Sequence, residues 1–166
     1  MKVIFLDIDG VLNTNDYISA LYTKHLYKSN HDKTAFNDTL YRDKYGYLFD
    51  PRTVTHLESI CYKTGAKIVI SSTWRLSGLK TMQNMFRDRK IEAEVIDITH
   101  CHVDRIRGKE IQQWLDNNEI ESYCILDDDS DMLQSQQNNF VLVDPEFGLT
   151  HELSEKCIKI LDNEIY

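Results

Sequence analysis

Short apolar runs alternate with segments of helical periodicity along most of the chain, and this alternation constrains the fold more than any other feature. Runs rich in Val, Ile, Leu and Phe occur at 2–7, 67–71, 93–98, 123–127 and 140–143, and each is too short for a helix. Asp50-Pro51 and Gly65, residues typical of a helix start and a helix end, enclose a segment of helical spacing. Further helices are predicted from about Ser77, around 111–115 and from Thr150. We therefore expect an α/β, Rossmann-like three-layer sandwich with a five-stranded parallel sheet.

The segment at about 14–48 interrupts this alternation, directly after the first predicted strand. It holds six of the nine tyrosines: Tyr17, Tyr22, Tyr27, Tyr41, Tyr45 and Tyr47. Ile18, Leu21 and Leu26 have helical spacing, so part of the segment is expected to be a helix. An insertion at a strand end usually borders a functional site, although a structural flap whose tyrosines pack on the core is the alternative. We expect residues 1–166 to form a single domain with this cap-like insertion.

Composition limits the classes of protein to which the chain can belong. Hydrophobic residues make up 42% and charged residues 28% of the sequence, as in a folded globular protein. No apolar run approaches the ~20 residues that a membrane span needs, and MKVIFLDIDG lacks the features of a secretory signal. The four cysteines show no CxxC spacing and are typical of reduced thiols. We expect a cytoplasmic protein with no membrane partner.

The charges are distributed unevenly. Residues 1–109 contain 17 Lys and Arg against 13 Asp and Glu, whereas residues 110–166 contain 2 against 14, and the net charge is −8. Because a strongly basic surface is not indicated, we expect no strong non-specific binding of nucleic acid.

Carboxylates follow the first and the fourth predicted strands. Asp7 and Asp9 end the first strand, and Asp127, Asp128 and Asp129 end the fourth. Parallel sheets bind ligands beyond the carboxyl ends of their strands, where these residues would meet. So many carboxylates together are costly without a cation, and oxygen ligands of this kind suit Mg²⁺. The sequence thus favours a metal-dependent site over a simple acidic turn.

Four motifs carry a resemblance to a known family. DIDGVLN at 7–13, Ser-Ser-Thr at 71–73, Lys109 at a helix start and LDDDSD at 126–131 resemble the motifs of the haloacid dehalogenase (HAD) superfamily, in the family's order. The D-x-D-G-V form is similar to that of its phosphatases. SSTWR, RGKEIQQWL and ILDDDSDM resemble HAD phosphatase domains of RNA-repair proteins and, more loosely, the phosphatase half of bacteriophage polynucleotide kinase-phosphatase.

The resemblance implies roles for the acidic residues. Asp7 would be the nucleophile that forms an aspartyl-phosphate, and Asp9 the general acid and base. Residues 7 and 9 of a strand face the same side, so both can reach one phosphate. The predicted Mg²⁺ ligands are Asp7, Asp9, Asp127 and Asp128. Adjacent residues point in different directions, so one of the last pair is expected to bind directly and the other indirectly, with Asp128 favoured as the direct ligand.

The predicted phosphate-binding residues are Gly10, Ser71, Ser72, Arg75 and Lys109. Gly10 permits a tight turn near the phosphoryl group. The two serines compete for one hydroxyl contact, and counting back from Trp74, as the RNA-repair relatives suggest, favours Ser72. Arg75 can bind a phosphate oxygen or be a surface charge. Lys109 has two rivals, Arg105 and Arg107, because the stretch DRIRGKE offers three cations.

These observations predict an enzyme, a Mg²⁺-dependent phosphomonoesterase that acts through an aspartyl-phosphate. The expected partner is a phosphorylated small molecule or a nucleic-acid end, with a 3′-phosphate preferred. A near-neutral insertion rich in tyrosine suits stacking on one or two bases. The alternatives are a phosphatase of small metabolites and a non-catalytic phosphate-binding module.

Overall fold

The computed structural model of the protein describes residues 1–28 and 41–164. Its strands and helices follow in the order β1 (Lys2–Leu6), α1 (Asn15–Lys28), β2 (Arg42–Asp43), β3 (Gly46–Tyr47), α2 (Pro51–Thr64), β4 (Lys67–Ile70), α3 (Leu79–Asp88), β5 (Val95–Ile98), α4 (Arg107–Leu115), β6 (Ser122–Asp127), β7 (Phe140–Leu142) and α5 (His151–Leu161). Short 3₁₀ helices at Thr73–Ser77 and Gln134–Asn139 precede α3 and β7. Within the described ranges, no helix combines the length and the apolar character needed to cross a membrane.

The main sheet is parallel and has the strand order β5-β4-β1-β6-β7, which confirms the predicted five-stranded parallel sheet. In its centre, Leu6 of β1 pairs with Ile70 of β4 and with Leu126 of β6. The three central strands therefore end at the same level. The residues that come next, among them Asp7 and Asp127, lie side by side at one edge of the sheet.

Helices cover both faces of the sheet and create the three layers. Ile4 and Leu6 of β1 lie in the core beneath α2, α3 and α5. Val3 and Phe5 lie in the core beneath α4, where the Phe5 ring meets Trp114 edge-on with 5.3 Å between ring centroids. Alternate residues of one strand thus serve two cores, which explains why β1 is apolar at successive positions.

Local signals determine where the helices begin and end. The Asp50 carboxylate accepts a hydrogen bond from the Arg52 N–H at 2.8 Å and caps α2. Gly65 ends that helix with φ of +71°, a conformation that glycine adopts without strain. The helix predicted from about Ser77 begins two residues later, because Gly78 has φ of +87° and separates α3 from the preceding 3₁₀ helix.

The insertion contains the predicted helix, α1, and an antiparallel hairpin of β2 and β3 that we did not predict. Two-residue strands are too short to produce a periodic signal. Arg89, just after α3, donates to both carboxylate oxygens of Asp43 at 2.8 and 3.0 Å, and the Tyr45 hydroxyl donates to Asp88 at 2.7 Å. The hairpin is therefore fixed to the end of α3. Residues 29–40 of the insertion and the side chain of Tyr27 lie outside the described part of the chain.

Candidate active site

Three carboxylates converge where β1 and β6 end. Asp7, Asp127 and Asp128 each offer one carboxylate oxygen, and these oxygens lie within 4.8 Å of one another. The Asp7 N–H donates to the Leu126 carbonyl at 2.9 Å, which holds the two chain segments together. Asp7 is 5% and Asp127 0% exposed, while Asp128 lies nearer the surface. The structure therefore brings together three of the four residues that we predicted as metal ligands.

Arg107 is the cation of this cluster. Its Nη1 lies 2.8 Å from Oδ1 of Asp7 and 3.3 Å from Oδ2 of Asp127, and it also donates to the Ser71 carbonyl. Arg107 is the first residue of α4, where its N–H donates to Oδ2 of Asp131 at 2.8 Å. Asp131 therefore caps the start of α4.

The structure does not support the choice of Lys109 for the phosphate site and favours its rival Arg107. Two positions along an α-helix correspond to a rotation of about 200°, so Lys109 faces away from the carboxylates that Arg107 contacts. The Lys109 ammonium instead pairs with Asp104. The sequence alone could not choose among the three cations of DRIRGKE, because all have the right charge and only the rotation of α4 distinguishes them.

Burial and mutual repulsion disturb the ionisation of the three carboxyls. Burial, together with the charges of Asp7 and Asp128, raises the pKa of Asp127 to about 7, against the lowering effect of Arg107. Burial also raises the pKa of Asp7, which Arg107 and the Ser72 hydroxyl partly offset. The pKa of Asp128 is raised by burial and by the charge of Asp7. The single positive charge of Arg107 thus balances the negative charges of the three carboxylates only in part.

The unmet acceptor capacity of the cluster fits a divalent cation. Oδ1 of Asp127 accepts from the Asp129 N–H at 3.0 Å, but its buried Oδ2 has no hydrogen-bond partner, with only the ion-pair contact to Arg107 nearby. Buried carboxylate oxygens without donors are costly, and hard oxygen donors are the ligands that Mg²⁺ prefers. The donor set therefore suits Mg²⁺ in chemistry and in charge.

Asp9 lies beside the cluster in a turn that holds its carboxylate from two sides. Oδ2 accepts from the indole Nε1 of Trp74 at 2.9 Å, and Oδ1 accepts from Nδ2 of Asn13 at 2.7 Å. The Asp9 carboxylate is exposed and is not among the three clustered acids, so its role as a metal ligand stays a prediction. Its position is that of a group that can exchange protons at the edge of the site.

Gly10 makes the close approach between this turn and Asp128 possible. Its φ is +72°, and a Cβ at this position would lie 2.5 Å from Oδ2 of Asp128. The Gly10 N–H donates to Oδ1 of Asn13 at 3.1 Å. The predicted tight turn is therefore present, and a larger residue would push Asp128 away from the cluster.

The two serines after β4 have different surroundings. The Ser72 hydroxyl accepts from the Trp74 backbone N–H at 3.4 Å, and its proximity to Asp7 lowers the pKa of that carboxyl. The Ser71 hydroxyl is buried without a hydrogen-bond partner among the described residues, and the Ser71 carbonyl accepts from Arg75 and Arg107. The geometry favours Ser72 for contact with a phosphate bound at Asp7.

Arg75 is a structural residue and not the phosphate ligand that we predicted. Its guanidinium is buried and donates to the Thr99 carbonyl at 3.0 Å, to the Ser71 carbonyl at 2.5 Å and to the Glu110 carboxylate at 2.6 Å. Glu110 is also buried and accepts from the His102 N–H at 3.1 Å. This internal ion pair joins the end of β4 to the start of α4, so it stabilises the two segments that carry the site residues.

A cleft of about 370 Å³ opens beside Asp9, between the hairpin and α3. Its lining consists of Asp9, Arg42, Lys44, Tyr45, Gly46, Tyr47, Trp74, Ser77, Thr81 and Met82. Trp74 forms the floor next to the hairpin, because a Cβ on Gly46 would lie 2.6 Å from its ring. A larger groove, of about 490 Å³, contains Tyr62 and Glu94 and none of the site residues, so it does not belong to this chemistry.

Sequence reasoning missed the residues that position Asp9. Asn13 belongs to the quoted DIDGVLN motif, but a role for its side chain was not proposed. Trp74 served only as a reference point for choosing Ser72, yet its indole N–H donates to Asp9. An indole N–H that is partly buried usually has a hydrogen-bond partner, and this rule is the signal that could have indicated the contact.

The chain was compared with known proteins. A family model described as the HAD domain in Swiss Army Knife RNA repair proteins matches residues 3–153. Neither the curated proteins nor the solved structures give a significant match. The family match covers the site residues described above and, apart from Lys2 at the start of β1, all the strands.

Proposed function

Because the chain belongs to the family of HAD domains in Swiss Army Knife RNA repair proteins, we propose that this HAD-type phosphatase is a Mg²⁺-dependent phosphomonoesterase that uses Asp7 as its nucleophile. The observation that supports the proposal is the convergence of Asp7 with Asp127, Asp128 and Arg107 at the carboxyl end of β1. Three buried or half-buried acids with one arginine form a poor structural element but a suitable site for a cation and a phosphate.

The cation would be held by Asp7, Asp127 and Asp128. When bound, it supplies positive charge that allows an anionic nucleophile to approach an anionic phosphate ester. A second positive group, Arg107, belongs to the protein, and its contact of 2.8 Å with Asp7 favours the ionised form of that carboxyl. The Ser72 hydroxyl, which is directed at Asp7, is the donor for a non-bridging phosphate oxygen.

The reaction consists of two displacements at phosphorus. A carboxylate oxygen of Asp7 bonds to phosphorus while the bond to the ester oxygen breaks, and Asp9 gives that oxygen its proton. Asp9 then takes a proton from water, whose oxygen bonds to phosphorus as the bond to Asp7 breaks. Inorganic phosphate leaves, and Asp7 and Asp9 return to their starting states.

We propose nucleotides or nucleic-acid ends with a terminal 3′-phosphate as the substrates. The support is the family's occurrence in RNA repair proteins and the aromatic cleft beside Asp9. The ratio of kcat/KM between a nucleoside 3′-phosphate and a sugar phosphate tests this choice. A higher value for the sugar phosphate would favour the phosphatase of small metabolites.

Exchange of the nucleophile tests the mechanism. Asp7→Asn keeps the shape of the side chain but removes its nucleophilic oxygen, so we expect turnover of an aryl phosphate to fall by about 10³-fold or more. Asp116→Asn, an exposed aspartate at the end of α4, is the control that should keep wild-type turnover. EDTA should abolish wild-type activity, and Mg²⁺ should restore it. More than about a tenth of the activity in Asp7→Asn, or full activity in chelator, would refute the mechanism.

A further inference from the structure

The cleft beside Asp9 must face the leaving group if the proposed function holds. A general acid protonates the oxygen that leaves, so it stands on the opposite side of the phosphate from the nucleophile. The Asp9 carboxylate lines the cleft and is held there by Trp74 and Asn13. The rest of the substrate, beyond the leaving oxygen, therefore extends into this cleft.

The size of the cleft limits what it can hold. Its volume of about 370 Å³ is near the lower end of the range for ligand pockets, roughly 300 to 1,000 Å³. It has room for a single nucleotide-sized group and not for a long strand.

Arg42 lies in the wall of the cleft, and its guanidinium is held in place by aromatic rings. Its guanidinium lies over the Tyr47 ring, 4.4 Å from the centroid, and the Tyr47 ring stacks in turn on Tyr41 at 6.2 Å. Among the described residues, no carboxylate pairs with Arg42. A guanidinium stacked by its face keeps its edge N–H groups free for a phosphate, and the stack reduces the conformational freedom that binding would remove.

The second cation of the cleft is less available. The Lys44 ammonium lies 2.9 Å from Oδ2 of Asp88 and 4.9 Å from the centre of the Tyr45 ring. Its charge is already balanced by a carboxylate. Arg42 is therefore the group in this wall that is suited to an additional anion.

We infer that the cleft is the leaving-group subsite and that Arg42, supported by Tyr47, recognises a second phosphate on the leaving nucleotide. This inference rests on the proposed function and adds to it. The substrate class is a nucleotide that carries one phosphate next to Asp7 and another on its leaving portion. A free nucleoside 3′,5′-bisphosphate and a short oligonucleotide with a 3′-phosphate share this chemistry.

The kinetic test compares four substrates in the presence of Mg²⁺: an aryl phosphate, a nucleoside 3′-monophosphate, the matching 3′,5′-bisphosphate and a 3′-phosphorylated trinucleotide. Arg42→Gln should lower kcat/KM for the last two about tenfold more than for the first two, since it removes a charge-assisted hydrogen bond. Arg87→Gln removes an equal charge from an exposed arginine on α3 outside the cleft and should leave these ratios unchanged. A loss shared by all four substrates, or an equal effect of Arg87→Gln, would overturn the inference. A higher kcat/KM for the bisphosphate would identify a free nucleotide as the substrate, and a higher kcat/KM for the trinucleotide would identify an oligonucleotide end.

A binding test separates this inference from the proposed function. In the Asp7→Asn protein, calorimetry should show that the bisphosphate binds about tenfold more tightly than the 3′-monophosphate, and Arg42→Gln in the same protein should remove that difference. If wild-type protein hydrolyses none of the four substrates, the proposed function fails while this comparison still decides the subsite. Equal affinity for the two nucleotides would overturn the subsite.

Discussion

At the scale of single residues, the position of Asp9, the proposed proton donor, depends on an indole ring. Asp9 has two hydrogen-bond partners, and Trp74 is the one that also contacts the hairpin. Trp74 is therefore a positioning residue, which acts on the reaction through Asp9. The Trp74 ring therefore connects the hairpin to Asp9.

We expect Trp74→Phe to lower kcat for an aryl phosphate about tenfold, because the ring remains while the N–H that orients Asp9 is lost. KM should change less, since a phenylalanine ring still forms the floor of the cleft. Trp114→Phe is the matched control, because that indole N–H donates to Asp97 at 2.7 Å in the core beneath α4. The control should lower the melting temperature and leave kcat close to wild type. An unchanged kcat in Trp74→Phe would show that Asn13 alone is sufficient to orient Asp9.

Residue types at strand ends were predictable, and their orientations were not. Asp7 and Asp127 were identified because a charged residue after a buried apolar run has few structural uses. Arg75 and Arg107 look alike in sequence, yet one forms a buried pair with Glu110 and the other contacts Asp7. The difference arises from the path of the chain after β4 and from the rotation of α4, which are tertiary properties.

At the scale of elements, the start of α4 places Arg107 in the site, and Gly108 determines how closely that start approaches its neighbours. A Cβ on Gly108 would lie 2.5 Å from the backbone nitrogen of Leu133 and 2.8 Å from Oε1 of Gln136. Gln136 also donates to the Gly108 carbonyl at 2.8 Å. The backbone of Leu133 and that of Met132, whose Cα would lie 3.0 Å from the added Cβ, leave little room for relaxation.

Gly108→Ala should therefore shift the first turn of α4 and move Arg107 away from Asp7. We expect a loss of about 1–3 kcal/mol in the free energy of unfolding, as for an overpacked core, and a fall of about tenfold in kcat/KM. Gly65→Ala provides the comparison, since its Cβ would meet open space at the end of α2 and the cost comes only from positive φ. That variant should lose stability and keep its kcat/KM. Equal kcat/KM in both variants would argue against the role of Gly108.

The five strands and the helices that cover them were predictable because their apolar periodicity repeats over several residues. The hairpin was not, because its two short strands are held by side-chain contacts with α3 and Trp74 and not by an apolar pattern. Elements of this kind are determined by the surface on which they lie. The same surface forms the cleft, so the element that was hardest to predict from the sequence lines the proposed subsite.

At the scale of the whole molecule, we expect the acid cluster to make the free energy of unfolding depend on pH and, if the proposed site holds Mg²⁺, on that cation. The folded state raises the pKa of Asp127 from the ordinary 3.8 to about 7, so it binds a proton more tightly than the unfolded chain does. The stabilising contribution of this group is complete below pH 3.8 and is lost as the pH rises to 7. Asp7 and Asp128 are shifted in the same direction.

The melting temperature in EDTA should therefore show a contribution from the cluster that decreases between pH 5 and pH 8. If the cluster holds Mg²⁺ as we propose, the cation binds the ionised carboxylates, so its stabilising effect should grow over the same range. At a hundredfold excess over Kd it amounts to about 2.7 kcal/mol, or about 5 to 10 °C for a chain of this size. Thermal unfolding of wild type and Asp127→Asn should be measured at pH 5 and pH 8. The difference between the two proteins gives the contribution of Asp127 separately from that of the other carboxyls. A Mg²⁺ effect that is the same at pH 5 and pH 8 would contradict this prediction.

The ion pair between Asp7 and Arg107 joins residues that are 100 positions apart in the chain. During synthesis, Asp7 emerges early and its partners on α4 and β6 follow much later, so the repulsion among the carboxylates arises only when the central strands have come together. Contacts between such distant residues form slowly, because a long loop must close first. Recovery of phosphatase activity after denaturation should consequently lag behind the recovery of helical structure, and Mg²⁺ should accelerate this late step and not the initial collapse.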